Sequence, residues 1–154
     1  MTLTSRSIRL AARAVLLHED RLLLVNAWPA SKGSDLWCAP GGGAEAHSSL
    51  PDNLAREVHE ETGLRVAVGA PCLINEFHSP RRQWHQVEVF FRCTLLDGAH
   101  LDAAWRDPEG IVTSRRWVTR AEMAEITVRP RALESVAWSD ADVPGYDPLE
   151  LILE

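Results

Sequence analysis

The chain has 154 residues, 45% hydrophobic and 25% charged, with a formal net charge of -6. That is the size and usage of one globular domain, able to bury about 70% of its extended-chain surface without disulfides or a structural metal. The acidic balance excludes wrapping duplex DNA, which needs a basic footprint, but not a small phosphorylated ligand, for which a few local cations or a metal suffice.

Cys38, Cys72 and Cys93 stand far apart with no CxxC spacing, so reduced thiols are expected rather than a disulfide framework. The N-terminal stretch never reaches about 18 consecutive apolar residues. Arg13 and then His18-Glu19-Asp20 arrive too early for a standard signal peptide. A soluble, cytoplasmic protein with no membrane partner is expected.

In chain order, residues 8–17 and 21–27 are two mostly apolar runs separated by His18-Glu19-Asp20, the pattern of a β-hairpin. Residues 28–35 read as a loop carrying Pro29, Lys32 and Gly33. Leu36, Trp37 and Cys38 form a short strand before Pro40-Gly41-Gly42-Gly43. Ser48 or Ser49 caps a helix that tolerates Pro51 in its first turn, runs to Thr62 and stops at Gly63. Leu50, Leu54, Ala55 and Val58 are its apolar side. Strands are expected over residues 65–70, 72–77 and 86–95, then a polar, turn-rich stretch over 97–109 and a short strand around Trp117. Thr119-Arg120-Ala121-Glu122 is a capping box for a helix reaching about Ile126, and Pro130 opens another over 131–138. The tail from about residue 139 either packs through Leu149, Leu151, Ile152 and Leu153 or stays loose. No repeat or linker divides the chain, so residues 1–154 are read as one domain.

The chemistry concentrates between Gly42 and Leu64. Glu57, Glu60 and Glu61 are spaced by three and four, so their carboxylates share one helical face. Glu57 and Glu61 repel as an i,i+4 pair, by about 0.2–0.5 kcal/mol, whereas Arg56 and Glu60 attract. A divalent cation removes the conflict. Mg²⁺ is the natural candidate, with Mn²⁺ as substitute, because hard oxygen ligands and substrate phosphates complete its octahedron. An acidic triplet alone is usually a solvated face, and Pro-Gly-Gly marks many turns.

Their joint spacing is more specific. Gly42, Arg56-Glu57, Glu60-Glu61 and Gly63, with apolar Val58 and Leu64, match the signature Gly, five residues, Glu, seven residues, Arg-Glu, apolar, any, Glu-Glu, any, Gly, apolar. The sequence resembles the Nudix hydrolase family. One position departs: the first glutamate of the signature falls on Ser48. The family residue commonly partners the signature arginine, so the departure bears on how Arg56 is held; Glu45 is a possible replacement and Ser48 a possible cap.

The resemblance implies an α/β fold, an α/β/α sandwich with a mixed β-sheet. It implies that Gly41 offers a backbone carbonyl to a metal, with Glu57 and Glu61 as principal carboxylate ligands and Glu60 sharing or assisting. Gly42, Ser48, Arg56 and Gly63 are then structural members of the motif. The implied activity is Mg²⁺-dependent attack of water on a pyrophosphate phosphorus, in a nucleoside diphosphate linked to another moiety or a nucleoside triphosphate. The alternative is a nucleotide-binding or regulatory protein on the same fold. Glu60, Glu61 or a loop acid such as Glu109 is open as general base. Lys32, Arg81 and Arg82 are candidate phosphate contacts and Trp84 a candidate stacking surface for a base. Glu76 and Glu88 are further carboxylates that strand parity alone leaves unplaced. The expected partner is a small nucleotide or diphosphate conjugate; a homodimer is left open.

Overall fold

The computed structural model describes residues 7–28 and 35–152. Lys32 lies outside them. The first two strands, β1 (Arg9–His18) and β2 (Arg21–Asn26), form the expected hairpin. Glu19 and Asp20 both have positive φ, 49° and 62°. A two-residue turn of that hand matches the right-handed twist of the flanking strands. Next come β3 (Leu36–Cys38), β4 (Gly41–Gly43), α1 (Leu50–Thr62), β5 (Val66–Ser79) and β6 (Trp84–Leu95). The chain continues through β7 (Arg115–Thr119), α2 (Arg120–Met123), β8 (Thr127–Val128), α3 (Leu133–Ala137) and β9 (Gly145–Leu151).

The strands form one mixed, curled sheet in the order β8-β3-β2-β1-β6-β5-β9, with β4 paired to β1 and β7 to β2. β1 is the spine. It runs parallel to β6 from Arg9↔Gln86 to Leu16↔Cys93 and antiparallel to β4 from Ala11↔Gly43 to Arg13↔Gly41. Its last residues turn away to pair with β2. Strand alternation sends Ala12, Ala14 and Leu16 to one face, where Leu54 and Val58 of α1 pack with Phe91 and Cys93. Val15 points to the other face, into a core with Leu73, Phe90, Leu22, Val118 and Leu133 and Ala137 of α3. Helices thus lie on both sides of the sheet, as the α/β/α expectation requires. Among the described residues no helix is long and apolar enough to cross a membrane.

Several local expectations shift. Residues 65–70 and 72–77 are not two strands but the two parts of β5, joined where the register against β6 slips on either side of Pro71. Proline removes a ladder donor, and the bulge breaks the alternation. The capping box at Thr119 and Glu122 forms, but α2 ends at Met123 because Thr127 and Val128 pair with Leu36 and Trp37 of β3. α3 is likewise shorter than the expected 131–138. The tail is not loose: it adds β9 in parallel to β5. Tyr146 reinforces the pairing by donating to Glu76 Oε1 at 2.7 Å. Leu149 and Leu151 remain exposed, so main-chain pairing rather than leucine burial docks this strand.

At the start of α1 the cap is Ser49, whose Oγ accepts the Asp52 amide at 3.1 Å. Ser48 contributes only its backbone carbonyl, to Asn53 Nδ2 at 3.1 Å. Ser49→Ala is therefore expected to lower stability by about 0.5–2 kcal/mol, and Ser48→Ala to stay within about 0.5 kcal/mol of wild type. Urea unfolding of the two variants checks the assignment.

Candidate active site

The glutamate face of α1 is not the solvent-facing surface that an acidic triplet suggests. Glu57 and Glu61 are only 7% and 8% exposed. The reason lies in β4. Gly42 has no side chain, and a Cβ there would lie 2.9 Å from the Glu57 carboxyl carbon. The glycine strand therefore lets the helix approach carboxylate-first. Beside it the Gly41 amide donates to Glu61 Oε2 at 3.0 Å. The motif glycines are thus the floor on which the acids lie.

Arg56 organises the exposed side. Its Nη1 donates to Glu60 Oε2 at 3.2 Å and Glu57 Oε1 at 3.4 Å. Its Nη2 donates to Asn53 Oδ1 at 3.3 Å and lies 3.7 Å from Glu45 Oε1. Glu45 and Asn53 thus hold the arginine where Ser48 supplies no carboxylate. On the other flank Arg13 donates to Glu88 Oε2 at 2.5 Å and to the Ala39 and Gly41 carbonyls, each at 3.2 Å. Glu88 also accepts from Gln86 at 3.1 Å and Asn75 at 3.4 Å. The parallel register of β1 and β6 places this buried polar strip on the face of β4 opposite Glu57.

One oxygen each of Glu57, Glu60 and Glu109 lies within 4.8 Å of the others, a grouping able to hold a divalent cation. Glu109 comes from the loop after β6; Glu61 lies against the Gly41 amide instead. The Gly41 carbonyl, engaged by Arg13, keeps a second lone pair for another partner. Oxygen-only donors with net negative charge fit a hard cation such as Mg²⁺ or Mn²⁺.

The predicted ligand contacts are more scattered. Arg81 and Arg82 sit on the exposed turn between β5 and β6. Trp84 is half-buried, with the Arg9 guanidinium 5.1 Å from its ring centroid. Arg9 also donates to Gln86 Oε1 at 3.2 Å and lies against Gly43. Trp84 is thereby linked to β4 one residue along from the Gly42–Glu57 contact. Arg9 and Arg13 were not legible as site residues. Their signal is the i,i+4 pairing of two arginines in an apolar strand, meaningful only once Gln86 and Glu88 are known to lie opposite.

Burial pushes the Glu57 carboxyl above its ordinary value; Arg56 opposes the shift, and Glu109 and Glu60 add to it. Burial raises Glu61 further, to about 8, against the opposing Arg13 charge and Gly41 amide. A carboxyl protonated more tightly in the folded than in the unfolded chain stabilises the fold at low pH and loses that contribution as pH rises through the folded pKa. Metal-free protein is therefore expected to lose stability between about pH 4.5 and 8. Urea unfolding in EDTA should show the decline, and Glu61→Gln should flatten it. A wild-type curve that rises across this window would contradict the burial of Glu61.

The NUDIX domain model matches residues 7–139. A diphosphoinositol polyphosphate phosphohydrolase 3-alpha of Mus musculus is 35% identical over 100 residues, covering 65% of this chain and 56% of the mouse protein. The chain spans about half the length of the curated relatives it matches. Among solved structures, an ADP-ribose pyrophosphatase from Streptococcus suis superposes with a TM-score of 0.69 at 23% identity, covering 92% of this chain and 100% of that one. A UDP-X diphosphatase gives 0.69 at 18% identity, covering 92% and 68%. At those identities the structures establish the shared fold.

Proposed function

The chain belongs to the Nudix hydrolase family, and from that premise we propose that it is a metal-dependent pyrophosphohydrolase. Its substrate is a nucleoside diphosphate linked to a second moiety, or a nucleoside triphosphate. The observation that carries the reading is the convergence of Glu57, Glu60 and Glu109 beside a glycine strand that admits the helix at carboxylate distance. The relatives' names also share a diphosphate: diphosphoinositol polyphosphate, ADP-ribose pyrophosphatase, UDP-X diphosphatase.

A bound Mg²⁺ or Mn²⁺ supplies positive charge to the diphosphate oxygens and lowers the pKa of water. Glu57, Glu60 and Glu109 would hold it, with Glu61 and the Gly41 carbonyl alongside. Arg56 orients Glu57 and Glu60 by its hydrogen bonds to both carboxylates. Arg13 fixes the Gly41 carbonyl. A carboxylate of this group accepts the proton that the attacking water loses. Trp84 is the proposed stacking surface for a base, and Arg81, Arg82 and Lys32 are the proposed phosphate contacts.

The decisive experiment is a panel of nucleoside triphosphates, nucleotide sugars, ADP-ribose and diphosphoinositol phosphates with Mg²⁺ or Mn²⁺, with products identified. Turnover of nucleotide diphosphates supports the reading. Turnover confined to diphosphoinositol phosphates removes its nucleotide part, and binding without turnover under every metal removes the enzyme.

Glu57→Gln preserves volume but removes a ligand charge, and kcat is expected to fall by at least about 10²-fold with little change in the urea midpoint. Leu54→Ala should do the reverse. This fully buried side chain should cost about 2–5 kcal/mol of stability while the folded fraction still turns over. Initial rates at saturating substrate and metal, beside urea unfolding, separate the two.

A further inference from the structure

The last carbonyls of α1 have no partner within the helix. The Gly63 amide takes that of His59. The next two are taken by side chains from a distant segment: Trp105 Nε1 donates to the Glu60 carbonyl at 2.8 Å, and Arg115 Nε donates to the Glu61 carbonyl. The indole lies on Gly63, where a Cβ would come 2.9 Å from Trp105 Cδ2, and meets the His59 ring edge-on with centroids 5.2 Å apart. Gly63 is therefore required twice, for its left-handed backbone (φ 75°) and for the ring upon it.

Between these two anchors lies the turn that carries Glu109. Residues 96–114 contain no helix or strand, so no ladder fixes their position. Inside the turn, buried Asp107 accepts the amides of Glu109, Ile111 and Val112 at 3.0, 3.2 and 2.9 Å. Asp107 thus sets the shape of the turn. Asn26 of β2 holds its far end, donating to the Ile111 carbonyl at 3.0 Å and accepting from the Thr113 and Ser114 amides, each at 2.9 Å, and Trp105 ties its near end to α1.

We propose that Trp105 is a positioning residue of the acidic site: by binding the end of the glutamate helix, its indole brings Glu109 to Glu57 and Glu60. The inference rests on the acidic site of the proposed function, but its central test does not need turnover. Trp105→Phe keeps a ring over Gly63 and deletes the N–H donor. Mn²⁺ alone is titrated calorimetrically into wild type, Trp105→Phe, Glu109→Gln and the double variant. Each single change is expected to weaken Mn²⁺ binding by about tenfold, and the double variant to bind no more weakly than the weaker single, because a residue acting through Glu109 has nothing left to act on. Additive losses, or wild-type affinity in Trp105→Phe, would overturn the proposal.

Should Trp105→Phe fail to fold, Trp105→Leu, which also lacks the N–H donor, takes its place in the same cycle with the same expectation. With a substrate in hand, Trp105→Phe should lower kcat about tenfold or more with KM nearly unchanged, the signature of a misplaced group rather than lost binding. A protein that hydrolyses nothing yet shows the non-additive Mn²⁺ cycle would refute the hydrolase reading and leave the role of Trp105 standing.

Discussion

Two carboxylates on one face of α1, those of Glu57 and Glu61, lie against a strand made only of glycine. The rest of the structure is arranged around that contact. A side chain at Gly42 would collide with Glu57. The helix would then stand off, and Leu54 and Val58 would leave the alanine-rich face of β1, where small residues let the backbones approach. Close packing and acidic chemistry therefore have the same cause.

Acids so placed oppose one another, and charges are costly to bury without partners. Two arginines flank them. Arg56 works from the exposed side, on the helix itself. Arg13 works from beneath, reaching through β4 to the Gly41 carbonyl while paired with Glu88. Arg13 is itself satisfied by carbonyls and a carboxylate, so the polar strip continues to Gln86 of β6 and Arg9 of β1 instead of ending in an apolar core. The strip joins the acidic centre to the Trp84 end of the sheet by an unbroken set of hydrogen bonds and ring contacts.

What the sequence disclosed was local. Gly63, Pro51 and the apolar spacing of Leu50, Leu54 and Val58 marked α1 to within a residue, and Thr119 with Glu122 marked the start of α2. The motif spacing marked the acids. It did not reveal that Glu57 and Glu61 are buried, because helical periodicity gives a shared face and not what covers it. The pairing of Arg13 with Glu88 spans 75 positions and depends on a parallel register that neither strand announces. Glu109 was visible as an acid in a loop, but its approach to Glu57 depends on Trp105 and Arg115 reaching helix carbonyls, donors that composition assigns to packing or to solvent. Ser48 and Ser49 are equivalent by residue type; only the backbone shows which hydroxyl faces Asp52.

The order of the sheet has a further consequence at β8 and β9, the two ends of its main strand path. An open edge presents unpaired amides and carbonyls, and a second chain can extend it. At one end stands β8, only two residues long, which offers too little ladder to template a neighbour. At the other stands β9, seven residues long and carrying exposed Tyr146, Leu149 and Leu151. Pro148 supplies no amide donor in its middle, the register slips between Asn75 and Phe77, and Asp147 and Glu150 place negative charge along it. A copy adding in register would meet a missing donor, a bend and like charges in succession. The strand that completes this side of the sheet thus makes its own edge a poor template for a second strand.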